Sequence, residues 1–190
     1  MTIVEVLKDY LGLGFTHVLP LGFDHMLFIL TIFLLNTHLK SVVWQCTVFT
    51  IAHSLTLGLS SAGLIVPPFA WVEALIAFSI VVAAIENILH SELSRWRLVL
   101  IFVFGLIHGM GFATALSEIG LPNQHFFSAL LAFNVGVELG QLAVVLIAWY
   151  GFAKWMCHKP WYSTRVVYPI SALIACIALY WTIERLGLVG

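Results

Sequence analysis

The sequence predicts an all-α membrane protein, a polytopic bundle of about six transmembrane helices with a short N-terminal interfacial helix. Three observations carry that reading. Of the 190 residues, 62% are hydrophobic and only 9% are charged, whereas soluble domains carry about 25% charged residues. The mean hydropathy is +1.05, and a soluble core of this size could not hide that much apolar surface. The apolar runs are also long enough, at about 1.5 Å per residue, to cross roughly 30 Å of hydrocarbon.

The elements follow in chain order. Residues 2–12 set Ile3, Val6, Leu7, Tyr10 and Leu11 against Glu5, Lys8 and Asp9, the pattern of an amphipathic helix lying in the interface. These acids, with no basic n-region, argue against a secretory signal. Gly12, Gly14, Pro20 and Gly22 then interrupt the backbone. The first span is expected over residues 19–35, with a kinked or re-entrant entry through 14–20 as the alternative. The remaining spans are expected at 42–61, 70–89, 98–116, 126–148 and 166–183, all within one integral membrane domain covering 1–190. Polar or Pro/Gly-containing turns at 36–40, 63–68, 90–97, 120–124 and 154–165 separate them. Trp44, Trp71, Trp96, Trp161 and Trp181 fall near span ends, as an interfacial aromatic belt would.

Basic residues set the orientation. Lys40, Arg95, Arg97, Lys154, Lys159 and Arg165 collect on one side, leaving Lys8 and Arg185 on the other. The positive-inside rule puts the first group in the cytoplasm of a bacterium, so the protein is expected in the inner membrane with both termini periplasmic or exterior. A formal net charge of −1 gives no sign of a nucleic-acid partner. Cys46, Cys157 and Cys176 are isolated and form no disulfide framework.

Ionisable groups inside the spans mark a functional site, because burying them in hydrocarbon is costly. Counting residues from the expected span ends puts Asp24 and His25 about 8 Å below the outer surface and His108 near the midplane. The same count puts His53 about 17 Å from the cytoplasmic side and Glu138 about 18 Å from the outer face. Imidazoles and carboxylates at compatible depths suit a divalent transition metal such as zinc, nickel or cobalt, whose charge offsets the burial. The candidate ligands are His17, Asp24, His25, His53, His108 and Glu138. His17 and Asp24, seven apart, share a face if the helix is continuous, while His25 points about 100° away. Asn134 and Glu138 are i,i+4 and can act as a unit, extended by Gln141. Ser54 and Thr56 flank His53 and either serve the site or bond back to their own helix. Glu73 reads as a site member or a solvated helix end, and Glu86 with His90 as a cytoplasmic exit or a wet terminus. The glycines of GLIHG around His108 and GVELG around Glu138 permit close helix approach.

The segments THVLPLGFDHMLFIL, FTIAHSLTL, VEALIAFSIVVAAIEN, LIHGMGFA and FNVGVELGQ together resemble the HupE/UreJ family of membrane proteins, its second branch in particular, over nearly the whole chain. The resemblance implies a nickel or cobalt permease associated with hydrogenase and urease maturation. Related permeases place four residues between a histidine and an Asp-His pair. Here six separate His17 from Asp24-His25, so the pair carries over more securely than His17.

Two functions follow from the same residues. A permease would strip water from its ion at His17, Asp24 and His25, hold it with His53, His108 and Glu138, and release it past Glu86 and His90. With six spans leaving little room for a two-state gate, a homo-oligomer is the expected form. An intramembrane zinc metallohydrolase acting on a lipid or membrane-embedded peptide would use three histidines and an acid for zinc, Glu138 or Asp24 as base and Ser54 as donor. HExxH and GxSxG patterns are absent. An accessory protein with a structural metal is the third alternative.

Overall fold

The computed structural model describes residues 2–66, 69–90 and 96–188. Among these, contiguous helical segments form seven helices and there is no strand. They are α1 (Ile3–Val18), α2 (Phe23–Leu35), α3 (Leu39–Ser61), α4 (Phe69–Leu89) and α5 (Arg97–Ile119), then α6 (Phe126–Met156) and α7 (Ser163–Arg185). Arg95, which entered the orientation argument, and Pro68 lie outside the described residues.

α3, α6, α7 and the Trp71–Leu89 part of α4 are each long and apolar enough to cross a bilayer. α1 and α2 meet at a 67° bend and make a fifth span when taken as one broken helix. α5 has 23 residues and is apolar over Arg97–Ala113. Ile51, Leu55, Leu131, Ile147, Leu173 and Leu179 are exposed on the outside of the bundle, as helices solvated by lipid require. The chain is a helical membrane bundle.

α1 begins with a capping box: the Thr2 hydroxyl accepts from the Glu5 amide, and the Thr2 amide donates to Glu5 Oε2 at 2.8 Å. The helix extends to Val18, beyond the 2–12 segment expected from its periodicity. Gly12 and Gly14 do not interrupt it. A Cβ on Gly14 would fall inside the Phe133 carbonyl, and one on Gly136 inside that of Leu11. These glycines therefore let α1 and α6 lie backbone to backbone, running in the same direction. The break comes at residues 19–22. Pro20 offers no amide donor, and Gly22 presses so closely on the His17 carbonyl that a side chain there would collide with it.

α6 also outruns its expected end at 148. It continues through a π-turn at Trp149–Ala153 to Met156, and only residues 157–162 connect it to α7. The stop falls just before Pro160, in keeping with proline's bias against helix at the preceding residue. α7 opens with a second π-turn, Ser163–Val167. The other close pairings are α3 with α5 and α4 with α7. We call the end with the α3, α5 and α7 C-termini the mouth end, and the end with Leu89 and Arg97 the far end.

Replacing Gly136 with leucine should destabilise the protein by at least about 1–3 kcal/mol, the usual cost of overpacking. Gly151→Ala should be close to neutral, because nothing lies within 4 Å of a Cβ there. Thermal unfolding of both variants in detergent micelles measures the contrast.

Candidate metal centre

The bend between α1 and α2 removes the continuous helix on which His17 and Asp24 would have shared a face. His17 and His25 come together across it instead, their ring centroids 4.6 Å apart. His53 on α3 completes a trio, 6.1 Å from His17 and 6.0 Å from His25 between centroids. One ligand nitrogen from each of His17, His25 and His53 lies within 4.8 Å of the others. His108 on α5 stands beside the trio, with its ring centroid 5.2 Å from that of His25.

Hydrogen bonds on the other side of two rings settle how they face the trio. His108 Nδ1 donates to the Phe104 carbonyl at 2.7 Å, a group that can only accept. The Asn134 amide nitrogen donates to the Leu130 carbonyl at 2.8 Å, turning Oδ1 toward His53 Nδ1 at 3.3 Å. His53 therefore donates there as well. Both rings carry their proton on Nδ1 and present an Nε2 lone pair, the arrangement of a metal-binding imidazole with an outer hydrogen-bond partner. Nε2 of His17, His25, His53 and His108 is buried without a hydrogen-bond partner among the described residues. Four such atoms in one place are unusual, since buried polar atoms ordinarily find partners.

The close approach of α5 to α3 depends on GLIHG. A Cβ on Gly109 would collide with the His53 carbonyl and the Thr56 hydroxyl. Thr56 crosses the same contact, donating to the Leu106 carbonyl at 2.7 Å. Phe49, Phe112 and Phe133 pack around the imidazoles, Phe112 at 3.9 Å from His17 between centroids.

A cavity of about 390 Å³ opens onto this cluster, lined among others by His17, Asp24, His25, Glu73, His108 and Phe112. Asp24 faces the cavity and is engaged by Arg185, whose Nη2 lies 3.0 Å from Asp24 Oδ2. The same guanidinium donates to the Glu73 carbonyl at 3.1 Å and lies 3.7 Å from the Glu73 carboxylate. From the sequence, Arg185 reads only as one of two basic residues on the outer side, with Lys8.

Glu138 and Ser54 are placed elsewhere. Glu138 accepts from Thr47 at 2.8 Å and from Thr50, one turn beyond Asn134. Asn134 and Glu138 thus share a face but divide their roles. The Ser54 hydroxyl donates to the Thr50 carbonyl at 2.6 Å, back within its own helix. The three cysteines are free.

Glu86 is neither an exit nor a wet terminus. It pairs at 2.8 Å with Arg97, whose side chain is 3% exposed. Arg97 also donates to Gln45 Oε1 at 3.0 Å, to Asn87 at 3.4 Å and to the carbonyls of Thr31 and Ile32 in the last turn of α2. Asn87 reaches on to the Thr31 carbonyl at 2.8 Å and to Ser171 of α7 at 3.2 Å. Arg97 thus ties its own α5 to α2, α3 and α4 at the far end, and Asn87 carries the network on to α7. Sequence reading assigned Arg97 to a solvated loop.

The family model described as HupE / UreJ protein matches residues 2–185. No curated protein and no solved structure matches the chain significantly.

Glu86→Ala, which leaves the Arg97 charge buried without its partner, should cost about 3–5 kcal/mol. Adding Arg97→Leu should recover most of that loss, as read by chemical unfolding in micelles. Asn134→Leu should leave the fold intact and lower the affinity for Co²⁺ by about 10–100-fold, the usual effect of removing an outer partner of a ligand. Titration of the cobalt ligand-field absorption measures that shift.

Proposed function

The chain belongs to the HupE/UreJ family, associated with nickel and cobalt uptake, and on that premise we propose that it is a permease for a divalent transition-metal ion in a bacterial inner membrane. The observation that carries this reading is the convergence of His17, His25 and His53, their ligand nitrogens within 4.8 Å of one another. An all-imidazole set favours nickel, cobalt or zinc over magnesium or calcium, which prefer oxygen. Asp24 and Glu73 at the cavity entrance attract the hydrated ion, and the histidines replace its water.

The α1–α2 pair is read as one broken span and α5 as a full one, giving six crossings. Exposed Lys40, Lys154, Lys159 and Arg165 hold the far end in the cytoplasm even though Arg97 is buried. The cavity then faces the periplasm, with both termini on that side. Small size relative to the gating required favours a homo-oligomer.

The zinc-hydrolase alternative needs an acid free to act as base beside the metal. Glu138 is engaged by Thr47 and Thr50 and the Ser54 hydroxyl by its own helix, while Asp24 gives Oδ2 to Arg185 and keeps only Oδ1 unpartnered, so Asp24 is the one acid of that scheme left to serve as base. Transport asks neither Glu138 nor Ser54 to act as a base or donor beside the histidines, and a carboxylate paired with Arg185 can still draw a cation to the cavity.

Purified protein in liposomes should take up Ni²⁺ or Co²⁺ down a concentration gradient. His25→Ala and His53→Ala should each reduce uptake by about 10–100-fold. Tightly held, non-exchanging zinc with no uptake of any of the three ions would sink the permease reading.

A further inference from the structure

The straight way from the histidine cluster to the far end is closed. Gln45 lies eight residues before His53 on α3, about 12 Å along the helix, and there it holds the buried Arg97 guanidinium. That cation is fixed by Glu86, Asn87 and two backbone carbonyls of α2. A divalent ion arriving there would meet like charge in a low-dielectric setting, where repulsion is strongest.

A second set of polar groups leaves the cluster along the seam between α3 and α6, running beside the Arg97 knot toward the far end. His53 is bonded to Asn134. One turn further, Thr50 donates to Glu138 Oε2 and lies 3.3 Å from Gln141 Oε1, and Thr47 donates to Glu138 Oε1. Glu138 forms no ion pair among the described residues, and neither Lys nor Arg reaches it. A carboxylate in a span without a counter-charge is expensive, and a passing cation would supply one.

We propose that Glu138, Thr47, Thr50 and Gln141 form a second, all-oxygen cation station on the α3–α6 seam, to which the metal ion passes from the histidines. This inference rests on the permease reading above. The hydroxyls can turn their lone pairs to an ion because each has another acceptor for its proton. For Thr47 that acceptor is the Val43 carbonyl at 3.1 Å, and for Thr50 it is Gln141 Oε1. Oxygen donors hold nickel or cobalt less tightly than imidazoles do. A weaker station following a stronger one is what release requires, since an ion must bind well enough to enter and weakly enough to leave.

The test uses the full chain in micelles and in liposomes, with Ni²⁺ as the probe and Glu138→Gln, Thr50→Val and Thr50→Ser as variants. Calorimetry of the unmodified protein should show one tight and one weak equivalent of Ni²⁺. Glu138→Gln should lose the weak equivalent, keep the tight one and its ligand-field spectrum, and transport about tenfold or more slowly. Thr50→Val should behave in the same direction, and Thr50→Ser should restore both properties. Glu138→Gln that transports at the unmodified rate, or loses the tight equivalent, overturns the seam station while leaving the permease reading standing. Unmodified protein that binds Ni²⁺ yet never transports it removes the permease reading and the station together.

Discussion

A polar group buried between membrane helices needs a partner inside the protein, and the ones that decide the packing find it on another helix. That constraint organises the molecule. Arg97 and Asn87 together gather five helices at the far end, Thr56 bonds across to α5, and Asn134 bridges α6 to α3. Individually such bonds contribute only about 0.6–2 kcal/mol between membrane helices. Leaving the Arg97 charge unpaired costs several times more, so the knot at the far end fixes helix positions chiefly through what its loss would cost.

The histidine cluster is the exception to this economy of partners. The protein holds Nδ1 of two rings by bonds to Phe104 and Asn134 and leaves four Nε2 atoms unmatched. The glycines that bring α5 against α3 and α1 against α6 remove the bulk that would otherwise keep those rings apart. Preorganisation here lies in backbone proximity, with aromatic rings filling the volume the imidazoles do not.

Composition and run length were enough to read the bundle, because a lipid-solvated helix has to be apolar almost everywhere on its outside. His25, His53 and His108 were legible for the same reason: an imidazole in hydrocarbon needs an explanation. What could not be read was the backbone between them. Gly12 and Gly14 read as breaks, whereas both lie inside α1, Gly14 as a contact point against α6 and Gly12 facing open space, and the chain is interrupted at Pro20 and Gly22. Arg97 and Arg185 were counted as loop charges, since sequence alone does not reveal which cations a folded chain draws inward. The division of Asn134 from Glu138 was hidden likewise, because it is set by hydroxyls on a different helix.

The bend after Val18 divides the trio between two bodies. His17 belongs to α1, which is held along α6, and His25 belongs to α2, whose last turn is held by Arg97 and Asn87. The 67° angle between these arms, together with what holds each of them, therefore fixes how close the His17 and His25 rings come. The two arms run to opposite ends of the bundle, so the elbow joins the mouth end to the far end at the histidines.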